Sequence, residues 1–173
     1  MDIYSSISVI NLGPSVFRAP KSNNLNSKLH GYFLKAKISI ASNGLNDACN
    51  VIDLLELTEL KKTLNKTFNY KTILSKDDPA KHVFKELERY TACDIVVFDD
   101  GVSFEKFAEF VFNTADNFIK FKTNNSSYVK EAVAYVEKHF KDCPGNNELY
   151  LPIDHIGAKK QLQVFLKERF ACF

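Results

Sequence analysis

Apolar residues recur at helical spacing in two long segments of the chain. The first runs from Asp53 to Phe68, and Asp53 followed by Glu56 forms a capping box at its start. The second follows Ser103, the predicted N-cap residue, and reads FEKFAEFVFNTADNFIKF. One face of it holds, at helical spacing, a stripe typical of a helix packed on a core: Phe104, Phe107, Ala108, Val111, Phe112, Ala115, Phe118 and Ile119. The sequence therefore predicts two amphipathic helices.

Alternation of apolar and polar residues marks the strands. In SKLHGYFLKAKISI, aliphatic residues from Leu34 to Ile40 alternate with lysine and serine, so one face of this strand should be buried. The first predicted strand, IYSSISVI, ends at a Gly13–Pro14 turn, and a short extended piece follows. Further strands are predicted at DIVVF, YVKEAVAYVEK and ELYLPI, and further helices from about Pro79 to Tyr90 and from about Ala158 to Phe170. This order of elements predicts an α+β fold with an antiparallel sheet.

Composition narrows the class of protein. The chain has 173 residues, of which 45% are hydrophobic and 25% charged, as is usual for one globular domain. Its net charge of +2 is too small to indicate binding to nucleic acid or to a membrane surface. No apolar run reaches the roughly 18 residues of a membrane-spanning helix, and the first residues lack the pattern of a signal peptide. We expect a cytoplasmic protein.

The cysteines give no sign of a metal or disulfide framework. Cys49, Cys93, Cys143 and Cys172 lie far apart and form no CxxC pair. Such spacing argues against a zinc ribbon and against a disulfide-stapled fold. We expect four reduced thiols.

Four segments, taken in order, match a known set of motifs. KLHGYFLKAKISI is similar to an L-H-G-H strand, and NVIDLLELTELKK to an M-V-x-D-F-x-x-L-K helix start. VSFEKFAEF is similar to a P-T-S-E-N-L-A helix start, and VAYVEK to a V-x-V-x-E-T strand with Glu137 at the motif glutamate. Together they span roughly Phe17 to Ile153. In this set of motifs the chain resembles the 6-pyruvoyltetrahydropterin synthase family, which includes the carboxytetrahydropterin synthases of the queuosine pathway.

The resemblance implies the T-fold. Its subunit is a four-stranded antiparallel sheet with a helix pair between strands 2 and 3. Subunits close a barrel, usually as a trimer or a hexamer, and the site lies between subunits. Residues 76–100 and 155–173 exceed this plan. They are interpreted as an inserted segment with an extra helix and as a C-terminal helical extension of a single domain spanning 1–173.

The metal ligands that the resemblance implies are mostly replaced. The family binds zinc through an F-x-A-x-H stretch and through both histidines of H-G-H. Here FRAPK puts Lys21 at the first position and HGY puts Tyr32 at the third, so only His30 remains. Zinc in proteins needs at least three ligands with free lone pairs, which a lysine ammonium lacks. We expect no tightly held zinc, unless His30 has partners elsewhere, for which the chain offers His82, His139 and His155.

The catalytic residues that the resemblance implies are replaced as well. Asn26 stands where the family has its cysteine, and FNYK puts Asn69 and Tyr70 at the family's Asp-His pair. An amide can neither act as a nucleophile nor orient a base as a carboxylate does. Tyr70 and Lys21 remain as weak catalytic candidates. Whether the chain is an enzyme is left open; an active form would be a pterin-synthase-like carbon–oxygen lyase.

Glu137 is a functional residue of the family that this chain retains. In the family this glutamate anchors the pterin ring, and a carboxylate can accept two parallel N–H bonds from such a heterocycle. Its plain alternative is a solvated strand glutamate, like Glu131. Ser103, at its own motif position, is the second candidate ligand-binding residue. The leading hypothesis is a divergent family member with a degenerate active site, which binds a pterin or related heterocycle at a subunit interface. The alternative is a non-catalytic oligomeric scaffold that keeps the T-fold.

Overall fold

The computed structural model describes residues 4–22, 25–136 and 152–154. Its element order is that of an α+β protein, which confirms the predicted class. The helices are α1 (Leu54–Phe68), α2 (Lys81–Arg89) and α3 (Phe104–Lys122). The strands are β1 (Tyr4–Phe17), β2 (His30–Ser42), β3 (Lys71–Ser75), β4 (Asp94–Phe98), β5 (Ser127–Val136) and β6 (Pro152–Asp154), with a 3₁₀ turn at Leu25–Ser27. The helix predicted near the C-terminus lies outside the described residues, as do Glu137, His139 and His155.

The two long helices begin and end where their sequences predict. The Asp53 carboxylate accepts a hydrogen bond of 2.7 Å from the Leu55 amide and so caps α1, and Ser103 caps α3. Each helix buries one stripe of residues at three- to four-residue spacing. These are Leu57, Leu60, Leu64 and Phe68 in α1, and Phe107, Ala108, Val111, Phe112, Ala115, Asp116 and Ile119 in α3. The predicted aromatic stripe of α3 is thus confirmed as core.

The sheet corrects the expectation of four antiparallel strands. Over the described residues it has six strands in the order β4-β3-β1-β2-β5-β6, and its β1-β3 and β3-β4 pairs are parallel. The difference arises from β3, whose sequence KTILS is short and shows no alternation. Once β3 pairs with β1, helix α2 provides the crossover that a parallel partner requires, and β4 extends the sheet further. The inserted segment therefore adds a strand as well as a helix.

Strand β1 is continuous through Gly13 and Pro14, so the predicted turn there is wrong. The register with β2 shifts between Asn11 and Gly13, which marks a β-bulge. Gly13 has φ +94°, and a Cβ on it would overlap the side chain of Asn69. The Pro14 carbonyl then accepts a 2.7 Å hydrogen bond from the Tyr70 amide. The bulge thus fixes the start of β3 against β1.

The core lies between one face of the sheet and helices α1 and α3. Ile10, Leu34, Ile38 and Ile40 are fully buried and form one cluster with the helix stripes. The opposite face carries the alternate residues of β1 and β2. Its larger apolar side chains remain exposed, namely Ile7, Val9, Val16 and Phe33. Neither α1 nor α3 packs on this second face, which we call the open face.

Two further expectations can be compared with the described part of the chain. Cys49 and Cys93 are both free thiols, as predicted, and the other two cysteines lie beyond it. Among the helices of residues 4–22, 25–136 and 152–154, none is both long and apolar enough to cross a membrane.

Candidate functional site

Two residues singled out by the sequence, His30 and Tyr32, lie at the start of β2, opposite the end of β1. Phe17 pairs with His30, and Ser15 pairs with both Tyr32 on β2 and Lys71 on β3. Helix α3 starts beside them. This arrangement brings together Phe17, Tyr32, Phe104 and Phe107, which we call the aromatic cluster.

Ring contacts within the aromatic cluster are close and mostly edge-on. The Phe17 ring lies 5.3 Å from that of Tyr32, 5.5 Å from that of Phe104 and 4.9 Å from that of Phe107. Tyr32 and Phe104 are 5.9 Å apart. His30 stacks beside Tyr32 at 6.1 Å. Such separations are those of favourable aromatic pairs, so the Tyr32 ring acts here as a packed apolar group.

The Tyr32 hydroxyl is held in its neutral form. Burial raises the pKa of this phenol above its usual value of 10.0, because ionised oxygen is poorly solvated there. A phenol binds zinc well only as phenolate. Tyr32 is therefore a poor substitute for the histidine that the family places at this position.

Lys21 is paired with a carboxylate of the inserted segment. Its ammonium contacts Asp77, two residues after the end of β3, and its side chain is otherwise exposed. The hydrogen bonds from Lys21 and then from Ser75 lower the pKa of Asp77 to about 2. Lys21 thus carries a full positive charge that is already matched by a carboxylate.

The donor set at these positions does not fit a zinc ion. His30 offers one imidazole, the Lys21 ammonium has no lone pair, and the Tyr32 ring is packed in the aromatic cluster. Within the described ranges, no group of three or more His, Cys, Asp or Glu side chains is close enough to hold a metal. His82, one of the alternative partners, lies on α2 with its ring against the Pro79 carbonyl.

Tyr70 lies on the rim of a groove. It has a left-handed backbone, with φ 57°, and its side chain is 78% exposed. The groove has a volume of about 420 Å³, and the residues that line it include Val16, Gly31, Phe33 and Cys93. A non-glycine residue in this conformation is uncommon and is here held by the hydrogen bond to Pro14.

The two weak catalytic candidates are not brought together within one chain. Tyr70 directly precedes β3, whereas Lys21 contacts Asp77 beyond its other end. Strand β3, which lies between Tyr70 and Asp77 in the chain, is itself roughly 13 Å long. No proton transfer between Tyr70 and Lys21 of the same chain follows from this geometry.

Ser103 serves as a helix cap. Its hydroxyl accepts a hydrogen bond of 3.2 Å from the Lys106 amide, so the predicted N-cap role is confirmed. The Lys106 ammonium lies between Glu109, at 2.9 Å, and Asp100, at 3.7 Å. Those carboxylates, Glu109 first, raise the pKa of Lys106. A ligand that used the Ser103 hydroxyl as a donor would leave this cap bond in place, since the oxygen accepts it.

Replacing Ser103 with alanine is expected to destabilise the protein by about 1 kcal/mol, because one amide at the start of α3 loses its acceptor. Thermal unfolding should show a midpoint lower by about 2–4 °C. Ser103→Asp is the matched control, since aspartate caps equally well. Equal midpoints for wild type and Ser103→Ala would rule out the cap as a source of stability.

Sequence reasoning missed the strongest charge pair near the site. Arg18 binds Asp78 through two bonds, Nε to Oδ2 at 2.9 Å and Nη2 to Oδ1 at 3.1 Å. The Asp78 side chain is fully buried, and its Oδ1 also accepts a bond from the Ala80 amide at the start of α2. Arg18 and Asp78 lie sixty positions apart, so no local sequence pattern indicates that they pair. Its effect is to fasten the inserted segment to the end of β1.

These observations define an α+β protein with a T-fold-like arrangement of sheet and helices, and His30 and Tyr32 lie at one end of that sheet. A sequence model of the family described as 6-pyruvoyl tetrahydropterin synthase matches residues 15–141. That range is well over half of the chain, and the protein belongs to this family. A comparison with curated proteins finds no match.

Solved structures agree with this assignment at the level of the fold. An uncharacterised protein from Wolinella succinogenes is similar with a TM-score of 0.68 and 13% identity, over 90% of this chain and 99% of that one. The 6-pyruvoyl tetrahydropterin synthase of Plasmodium vivax gives 0.59 and 14%, over 89% and 99%. The Caenorhabditis elegans synthase gives 0.51 and 15%, over 79% and 91%.

Proposed function

We propose that this protein binds a pterin or a related heterocycle at an interface between subunits, and that it does so as a divergent family member. The observation that carries the proposal is the family match over residues 15–141, a range that includes Glu137. Glu137 follows Val136, the last described residue of β5, and lies outside the described residues. Its proposed role is to accept two parallel N–H bonds from the heterocycle, a charge-assisted arrangement.

Assembly into an oligomer is part of the proposal. The open face presents four exposed apolar side chains on adjacent strands β1 and β2, namely Ile7, Val9, Val16 and Phe33. Apolar groups gathered on one surface are typical of an interface. Contact with further copies of the chain would bury them and would complete a site that one subunit leaves unfinished.

Catalysis by the ordinary route of the family is not part of this proposal. Asn26, Asn69 and Tyr70 stand at the family's cysteine and Asp-His positions, and Lys21 is paired with Asp77. An altered carbon–oxygen lyase reaction would have to use Tyr70 of one subunit together with Lys21 or bound groups of another. Binding without turnover is the simpler function.

A scaffold protein is the second candidate, and one surface favours it. Helix α2 buries Phe84 but exposes Val83, Leu87 and Tyr90, which recur at i, i+4 and i+7. This stripe belongs to the inserted segment. A partner protein could bind the stripe while the site itself stayed empty.

The Glu137→Gln variant separates the two candidates. Titration of wild type with neopterin, followed by calorimetry, should show binding, and the variant should bind at least about tenfold more weakly because a charged acceptor is lost. Glu131→Gln, on β5, is the matched control and should bind as wild type does. Wild type that binds no pterin at millimolar concentration would sink the binding proposal and leave the scaffold.

A further inference from the structure

Two residues at the family's metal positions make contacts of a different kind in this chain. Lys21 contacts the inserted segment, residues 76–100, and Tyr32 contacts the aromatic cluster. We propose that Lys21 and Tyr32 take up contacts at this end of the site that need no metal, Lys21 by pairing with Asp77 of the inserted segment beside the buried Arg18–Asp78 pair and Tyr32 by packing in the aromatic cluster. This inference does not depend on pterin binding.

The charge arrangement around Lys21 is complete without a metal. Adjacent carboxylates of the inserted segment, Asp77 and Asp78, bind Lys21 and Arg18, which lie three positions apart after β1. Each of the two cations is thereby paired with a carboxylate. The Arg18–Asp78 pair is bidentate and largely buried. A divalent cation at position 21 would meet two positive charges and would find both carboxylates already engaged.

The surroundings of Tyr32 likewise leave no role for a metal. Its ring touches Phe17 and Phe104 from two elements, β1 and the first turn of α3. The ring contacts therefore join β1, β2 and α3, as a shared metal ion could otherwise do.

The inserted segment thus acts as a structural substitute for a zinc ion. In a metal site, one ion draws the segment after β1 toward the start of β2. Here the segment from Arg18 to Ser22 is drawn toward residues 77–78 instead. Its order should depend on those carboxylates and should be indifferent to chelators.

Metal content and chelator response test the first consequence. Protein purified without chelator and without a metal-binding tag should contain less than about 0.2 zinc per subunit by elemental analysis. Its thermal midpoint should be the same in EDTA and in added zinc. Close to one zinc per subunit, or a midpoint that falls in EDTA, would overturn the inference.

Two variants at position 32 test the role of the ring. Tyr32→Phe keeps the ring and removes the hydroxyl oxygen through which Tyr32 could bind a metal, so zinc content and midpoint should match wild type. The double variant Lys21→His, Tyr32→His creates a three-histidine set with His30. It should take up no more zinc than wild type, and its midpoint should fall by about 4 °C or more because a packed ring is lost.

The outcomes of the variants are distinct from those of pterin titration. Zinc near one per subunit in the double variant, with a midpoint raised by added zinc, would show that the positions still form a metal site, against the inference. A lower midpoint in Tyr32→Phe together with lost metal would show that the phenol is a ligand. If the double variant fails to fold, wild type and Tyr32→Phe still decide the matter, since both retain the ring.

Discussion

Replacing Asp78 with alanine is expected to destabilise the protein by about 3–5 kcal/mol, because it leaves the Arg18 guanidinium partly buried without its partner. The same change removes the acceptor for the Ala80 amide at the start of α2. Thermal unfolding should show a midpoint lower by about 10 °C or more. Urea unfolding should give the free energy directly.

The neighbouring carboxylate supplies the matched control. Asp77 also pairs with a cation, Lys21, but both side chains are largely exposed. Exposed ion pairs contribute little to stability, so Asp77→Ala should barely move the midpoint. A double variant that replaces Arg18 and Asp78 with leucines should be less destabilised than Asp78→Ala, because no buried charge is left unpaired. Equal effects of Asp77→Ala and Asp78→Ala would contradict this account.

Replacing Phe107 with alanine is expected to cost about 3–5 kcal/mol, since a large core side chain is lost and a cavity remains. Its ring is fully buried and contacts those of Phe17, Phe68 and Phe98 at 4.9, 5.5 and 5.6 Å. It therefore connects helix α3 to strand β1, to helix α1 and to the inserted segment. Urea unfolding of the purified variant measures the loss.

Phe121 on the same helix is the control for that experiment. Its side chain is 80% exposed, so Phe121→Ala should unfold close to wild type. The comparison holds helix and residue type constant and varies only burial. If both alanine variants lost the same stability, burial in the aromatic packing would not be the source of the loss, since alanine is itself the better helix former.

The long helices were predictable because their signals are local. The Asp53 and Ser103 caps and the spacing of buried residues all lie within a few residues of one another. Strand β3 was missed for the opposite reason. Its five residues acquire their role only through partners on β1 and β4, and parallel pairing leaves no turn between partners to mark it.

The same difference between local signals and distant contacts applies to the candidate site. That Lys21 and Tyr32 stand where the resemblance implies histidines could be read from the sequence, since it depends on motif positions alone. What those residues do instead could not, because Asp77 and Phe104 lie far along the chain. The Gly13–Pro14 error has a similar origin, because a bulge and a turn use the same residues and differ only in what lies across the sheet.

The order of strands in the sheet also bears on how the chain folds. Strands β1 and β2 are neighbours in sequence, and β3, α2 and β4 form a local unit. Strand β2 must instead pair with β5, and Leu34 meets Val136 only after three helices and two strands have intervened. Contacts so distant in sequence slow folding. A newly made chain therefore carries a central strand without one of its partners until β5 has been synthesised, a period in which its apolar residues are open to chaperones and to other nascent chains.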